Sequence, residues 1–242
     1  MPLDDVRTRY RHGHTNEAFA AWTVQALAPY GFASDNALAI IGVCRDELMF
    51  PVEQALHDEW GPAFDMSSLA AMVFLGRSGL AAAANHAPGT DGRRRFVIVV
   101  MPHIGIDRDG TVGMVDRVGQ REPSTACGAI VGFRRILESG RLGGAIEPDD
   151  IEMTLLSAAL SSAIDEADSS AQIATDLWSL TDLARRVATT EILRLSAGLL
   201  ESDEADVAIF SAVMIHGPDG DRISIDEASV WLGSNSERLD LM

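Results

Sequence analysis

The sequence predicts an α/β fold: a central mixed, partly parallel sheet flanked by helices, with a helical region and a hairpin towards the C-terminus. Three observations carry that expectation. Two short apolar runs, NALAIIGVC at 36–44 and RFVIVVM at 95–101, have the length and branched side chains of strands buried on both faces. Segments with apolar residues at helical spacing alternate with them. VAIFSAVMIH (207–216), GPDGD and RISID alternate as a hairpin does and add strands to the sheet. With 242 residues, 47% of them hydrophobic, the chain can bury one full-sized core. The expectation is therefore a single domain over 1–242, made of a helical arm (1–34), a core (35–148), helices (149–204) and the hairpin (205–232).

Element by element, NEAFAAWTVQALAPYGF (16–32) reads as an amphipathic helix stopped at Pro29, Tyr30 and Gly31. After the first strand, RDELMFPVEQALHDEWG turns helical at Pro51. Ser67 or Ser68 caps a helix through SLAAMVFLGRSGLAAAANHAPG, which Gly76 and Gly79 weaken. Pro102 ends the second strand just before His103. Residues 107–123 are a polar, glycine-rich excursion with a turn at Asp109 and Gly110. STACGAIVGFRRILESG puts Cys127 in the first turn of a helix, where the helix dipole favours a thiolate. From Asp149 to Leu200 the spacing is helical throughout, with an acidic outer face.

Composition removes several function classes. Thirty-six acidic and 19 basic residues leave a formal charge of −17, which repels nucleic acid and anionic membranes, so neither is expected as a partner. All the basic residues are arginine, and without lysine there is no Schiff-base or lysine-nucleophile chemistry. No run approaches the roughly 18 apolar residues of a membrane helix, and the charged N-terminus does not turn apolar as a signal peptide does. A soluble, cytoplasmic protein is expected.

Only two cysteines occur, Cys44 and Cys127, and without a secretory signal their pairing as a disulfide is disfavoured. Each is, taken alone, more often a small buried hydrophobe than a ligand. Yet Cys44 and His103 stand where strands end and Cys127 where a helix starts, the edge at which α/β sheets present their sites. Two thiolates and an imidazole would hold zinc with a fourth position open, as catalytic zinc sites do.

The runs DNALAIIGVCRDEL (35–48), SLAAMVFLGRSGLAAAANHAPG (68–89), MPHIGI (101–106), STACGAI (124–130) and VMIHGPDG (213–220) resemble the limiting-carbon-dioxide-inducible protein B family. That family is similar in fold and zinc site to β-class carbonic anhydrases. The resemblance implies a β-carbonic anhydrase-like fold and Zn2+ held by Cys44, His103 and Cys127. It also implies a homodimer or higher homo-oligomer, and reversible hydration of carbon dioxide to bicarbonate by a zinc-bound hydroxide. Two thiolates cancel the charge of the ion, so activity should rise above neutral pH.

Two departures from the ordinary β-class pattern stand out. That pattern is Cys-x-Asp-x-Arg; here Cys44 and Asp46 keep their relation but Leu48 replaces the arginine. Arg45, adjacent in sequence, is the first choice as partner of Asp46, with Arg77 behind it. Secondly, a long excursion separates His103 from Cys127, and it can cover the site or form part of a subunit interface. Two roles are open to Asp46: orienting the nucleophile, or binding zinc and closing the site. A third, capping the helix near Pro51, carries no chemistry.

The remaining candidates have plainer readings. His86 suits a helix cap as well as a pocket, His216 serves the hairpin turn, and His12 and His14 belong to a disordered terminal arm. Arg93, Arg94 and Arg95 form a basic cluster that is solvated or faces acid on another subunit. Three function classes follow: a zinc lyase, a catalytically silent zinc protein that senses carbon dioxide or bicarbonate or serves assembly, and a metal-free cysteine hydrolase using Cys44, His103 and Asp46.

Overall fold

The computed structural model describes residues 2–89, 91–140, 146–166, 176–200, 202–233 and 237–242. Its centre is a parallel pair. β1 (Ala37–Val43) runs beside β3 (Arg94–Met101), from Ala37 opposite Arg95 to Val43 opposite Met101. Every residue of β1, and every residue of β3 after Arg94, is buried. Successive strand side chains point to opposite faces, so unbroken burial means that both faces are covered, which is why these runs are continuously apolar.

β2 (Phe64–Asp65) lies along the free edge of β1, and β7 (Ala205–Gly217) runs parallel to β3 on the other side. The sheet order is β2-β1-β3-β7-β8-β9, with β4 (His103–Gly105) also beside β7. β8 (Gly220–Leu232) and β9 (Leu239–Asp240) are antiparallel additions, so the sheet is mixed and partly parallel. A separate two-stranded ladder joins β5 (Met114–Val115) to β6 (Ser124–Thr125) within the long excursion.

The helices are α1 (Pro2–His12), α2 (Asn16–Leu27), α3 (Phe50–Trp60), α4 (Gly76–His86), α5 (Gly128–Ser139), α6 (Ile151–Asp165), α7 (Leu177–Leu195) and α8 (Ala197–Leu200). Phe19 and Leu27 of α2, Leu56 and Trp60 of α3, and Leu180 and Leu183 of α7 join the strands in one apolar core. Among the described residues no helix is long and apolar enough to cross a membrane.

Three sequence expectations change. The terminal arm is ordered: Arg9 reaches Asp226 at 2.6 Å and stacks over Trp178, and Tyr10 donates to the Gly220 carbonyl at 2.9 Å, because β8 offers carboxylate and carbonyl partners to a charged helix face. His14 pairs with Ile223 through two backbone hydrogen bonds of 2.9 and 2.7 Å. The helix read through 68–89 is shorter. Residues 69–71 form a single 3-10 turn in which Ala70 and Ala71 have φ of 52° and 60°, and α4 begins only at Gly76. Thirdly, helix from Asp149 to Leu200 resolves into α6, α7 and α8, and the part at 167–175 lies outside the described residues.

Candidate metal centre

Cys44 extends the β1–β3 ladder by one residue, its N–H donating to the Met101 carbonyl at 3.3 Å. That contact sets it beside the Met101–Pro102–His103 step. His103 opens β4, which pairs with β7 from His103 opposite Met214 to Gly105 opposite His216. The chain then leaves for the excursion and returns to the same strand. Gly113 N donates to Gly105 O at 2.8 Å, Ala126 N to Gly113 O at 3.0 Å, and Gly105 N to Ala126 O at 3.0 Å. Glycine is needed at 105 because a Cβ there would overlap the Met114 carbonyl oxygen. These bonds deliver Cys127, the residue capping α5, next to His103.

The sulfurs of Cys44 and Cys127 are 3.5 Å apart, and with a ring nitrogen of His103 they form a group whose donor atoms lie within 4.8 Å of one another. All three residues are buried. A tetrahedral zinc ion with Zn–S bonds of about 2.3 Å sets its sulfurs roughly 3.8 Å apart, so the spacing suits the ion. Chemistry agrees with geometry: His103 Nε2 is buried without a hydrogen-bond partner, which a buried ring nitrogen tolerates poorly unless a metal takes its lone pair.

Protons follow the same logic. The hydrogen bond shared with Cys44 holds the Cys127 thiol well below its ordinary range against burial, helped by the charge of His103; the same bond and burial push Cys44 up. Burial would lower His103, but the Cys127 thiolate and Asp46 outweigh it and hold the imidazole up. A divalent cation would relieve this competition by satisfying all three donors at once. Ala70 N donates to Cys44 Sγ at 3.3 Å, and the left-handed turn at Ala70 and Ala71 is what aims that N–H.

Asp46 stands at the open side, its Oδ2 3.7 Å from His103 Nε2. Its partner is Arg117, whose Nη2 lies 3.2 and 3.3 Å from the two carboxylate oxygens. Arg117 is anchored in turn by Glu47 at 2.7 Å, Ser124 Oγ at 2.6 Å and the Thr125 carbonyl at 3.0 Å. Burial lowers the pKa of Arg117, but the carboxylates of Glu47 and Asp46 outweigh it and hold the guanidinium charged.

The chain matches the family model of the limiting CO2-inducible protein B/C β-carbonic anhydrases over residues 14–230. It belongs to that family. Among solved structures, PtLCIB4, a homologue of the limiting CO2-inducible protein LCIB, is similar with a TM-score of 0.78 at 20% identity, over 98% of each chain. LCIB itself is similar with a TM-score of 0.78 at 23% identity, over 97% of each chain. At these identities the likeness shows the fold. No curated protein matched the chain.

Within this β-carbonic anhydrase-like family member, Cys44, His103, Cys127 and Asp46 are brought together as the sequence suggested. Arg45 is not. Its side chain is 61% exposed and turns away to Glu152, at 2.9 Å, and to the Ser67 carbonyl, because alternation along an extended segment points it opposite to Cys44 and Asp46. Arg77 is exposed on α4, and His86 packs on Phe64 at that helix's far end. Asp46 also accepts from Leu48 N at 3.2 Å and so caps the 3-10 turn Glu47–Met49, whereas α3 starts after Met49 without a side-chain cap, so the expected cap of the helix near Pro51 is not made. Arg93 and Arg95 are not spare: both pair with Asp206 inside the chain.

Proposed function

We propose that the protein is a zinc-dependent carbonic anhydrase interconverting carbon dioxide and bicarbonate, with Cys44, His103 and Cys127 as metal ligands and Asp46 and Arg117 completing the site. The observation that carries the reading is an aspartate held by arginine at the open side of a buried Cys-His-Cys group. Zinc bound there would acidify a water molecule enough to make it a nucleophile near neutral pH. Asp46, whose Oδ2 lies 3.7 Å from His103 Nε2, would accept a hydrogen bond from a water held there and so orient it. Arg117 keeps the carboxylate turned outward by binding both oxygens from one nitrogen, and Glu47 stops the guanidinium from rotating. The buried walls exclude bulk solvent around the donors.

A second reading has its own support. The 3.7 Å between Asp46 Oδ2 and His103 Nε2 leaves the carboxylate a short swing from the metal, where it would close the site and leave a silent zinc protein that senses carbon dioxide or bicarbonate. Arg117 opposes that swing, which favours the enzyme. The hydrolase reading has less support, because Cys44 Sγ is engaged by Cys127 Sγ at 3.5 Å and by Ala70 N at 3.3 Å.

Metal analysis and stopped-flow hydration of carbon dioxide decide among the three. One zinc per chain, with activity lost on chelation and restored by zinc, supports the enzyme. One zinc without turnover supports the closed form, and no zinc overturns both. On this reading the small-molecule partners are carbon dioxide and bicarbonate and the assembly is a homodimer or higher homo-oligomer, which sedimentation measures.

A further inference from the structure

His216 does more than serve a turn. It is only 2% exposed, its Nε2 lies 3.0 Å from His103 Nδ1, and its Nδ1 lies 2.7 Å from Asp221 Oδ1. The sheet register produces this line. In the parallel β4–β7 pair, His216 lies opposite Gly105, and His103 is two residues from Gly105 on the same face, so the two imidazoles are diagonal neighbours. In the antiparallel β7–β8 hairpin, His216 is directly opposite Asp221, five positions on round a tight turn closed by Gly217 and Gly220. The rings meet edge to face, with centroids 5.1 Å apart, which points a nitrogen of one at a nitrogen of the other.

Hydrogen counting gives the line a direction. A neutral imidazole carries one N–H. If His103 carried it on Nε2, that N–H would be buried without an acceptor, since this atom has no partner. With the hydrogen on Nδ1, His103 donates to His216 Nε2, His216 keeps its own hydrogen on Nδ1, and that N–H donates to the Asp221 carboxylate. Each short contact then holds one hydrogen, and the free lone pair of His103 is the one facing the two sulfurs. The terminal arm and hairpin tip hold the far end: Asn16 Nδ2 is 3.5 Å from Asp221 Oδ2, and Tyr10 accepts from Asp219 N at 3.0 Å.

We infer that His216 and Asp221 are positioning residues that fix the tautomer and orientation of His103, so that its Nε2 is committed to the metal. The inference rests on the zinc reading above. Partners of this kind, hydrogen-bonded to the back of a ligating histidine, raise its basicity and hold its ring plane, and their loss typically weakens metal affinity or activity about 10- to 100-fold.

The test uses the full-length zinc protein, with His216→Phe, which keeps the ring but no hydrogen bond, and Asp221→Asn, which keeps the shape but not the charge. Zinc affinity is measured by competition with a chromophoric chelator, and the ligand field from the visible bands of the cobalt(II)-loaded protein. We expect zinc dissociation constants raised about 10- to 100-fold in His216→Phe, a smaller rise in Asp221→Asn, and cobalt bands displaced in both. Unchanged affinity and cobalt bands in folded variants, whatever their melting temperatures, would overturn the inference. If His216→Phe does not fold, Asp221→Asn and 15N spectra of the wild-type zinc protein decide: a proton on His103 Nδ1 supports the inference, and metal on Nδ1 overturns it. A wild-type chain that takes up zinc but does not hydrate carbon dioxide refutes the enzyme reading alone, whereas one that takes up no zinc sinks both.

Discussion

Asp46 and Asp206 are held by arginine at opposite ends of the same sheet, and of the two it is Asp46 that borders the Cys-His-Cys group. At the amino end of β3 and β7, Asp206 is bound by Arg93, with Nε 2.8 Å from Oδ2, and lies 3.5 Å from Arg95, which also pairs with Asp91 at 2.8 Å. The Asp206 side chain is 3% exposed, and its ion-pair partners are guanidinium groups. At the carboxyl end, Asp46 is 16% exposed and faces a histidine nitrogen with no hydrogen-bond partner and two thiols. An Asp–Arg pair is therefore not in itself a mark of catalysis. What separates the two is whether the carboxylate borders donors that need a further partner, and the carboxyl edge, where helix α5 begins, is where such donors collect.

The sharpest break between the two ends is in metal content. Cys44→Ser, Cys127→Ser or His103→Ala should abolish stoichiometric zinc and with it hydration activity, whereas Asp206→Ala should keep one zinc per chain by elemental analysis. The next effect separates ligand from orienter. Arg117→Ala should retain zinc while hydration falls about 10- to 100-fold, the range for a group that acts through its neighbour. Stability should reverse the order: Asp206→Ala should cost about 2 kcal/mol in urea unfolding, below the roughly 3–5 kcal/mol of a fully buried pair because Arg93 is 35% exposed. The smallest effect belongs to Arg45→Ala, whose exposed pair with Glu152 is worth under about 1 kcal/mol, so rate and zinc content should stay within twofold.

The donor set was legible because the chain offers so few alternatives. Two cysteines, one at the end of an apolar run and one before a helical pattern, and a histidine after a proline-terminated strand mark element ends directly. The sheet was legible for a similar reason: runs buried on both faces lose their alternation. Arg117 was not, since its approach to Asp46 depends on the β5–β6 ladder and on Gly105 admitting the Met114 carbonyl, and neither has a periodicity to read. A signal existed, because the excursion joins two ligands and carries arginine. His216 reads as a turn residue because its partner across the parallel β4–β7 pair is far away in sequence, and parallel register leaves no local trace. The helix forecast over 68–89 failed at Ala70 and Ala71, whose composition favours helix while the tertiary contact with Cys44 Sγ selects left-handed backbone.

The pairing of β4 with β7 has a consequence for the order in which the molecule becomes competent. Cys44, His103 and Cys127 all leave the ribosome well before the strand that flanks His103. A nascent chain that has just exposed Cys127 still lacks Met214 and His216 beside β4, and Asp221 behind them. On the zinc reading, the scaffold behind His103 would therefore be complete only once the C-terminal hairpin has paired.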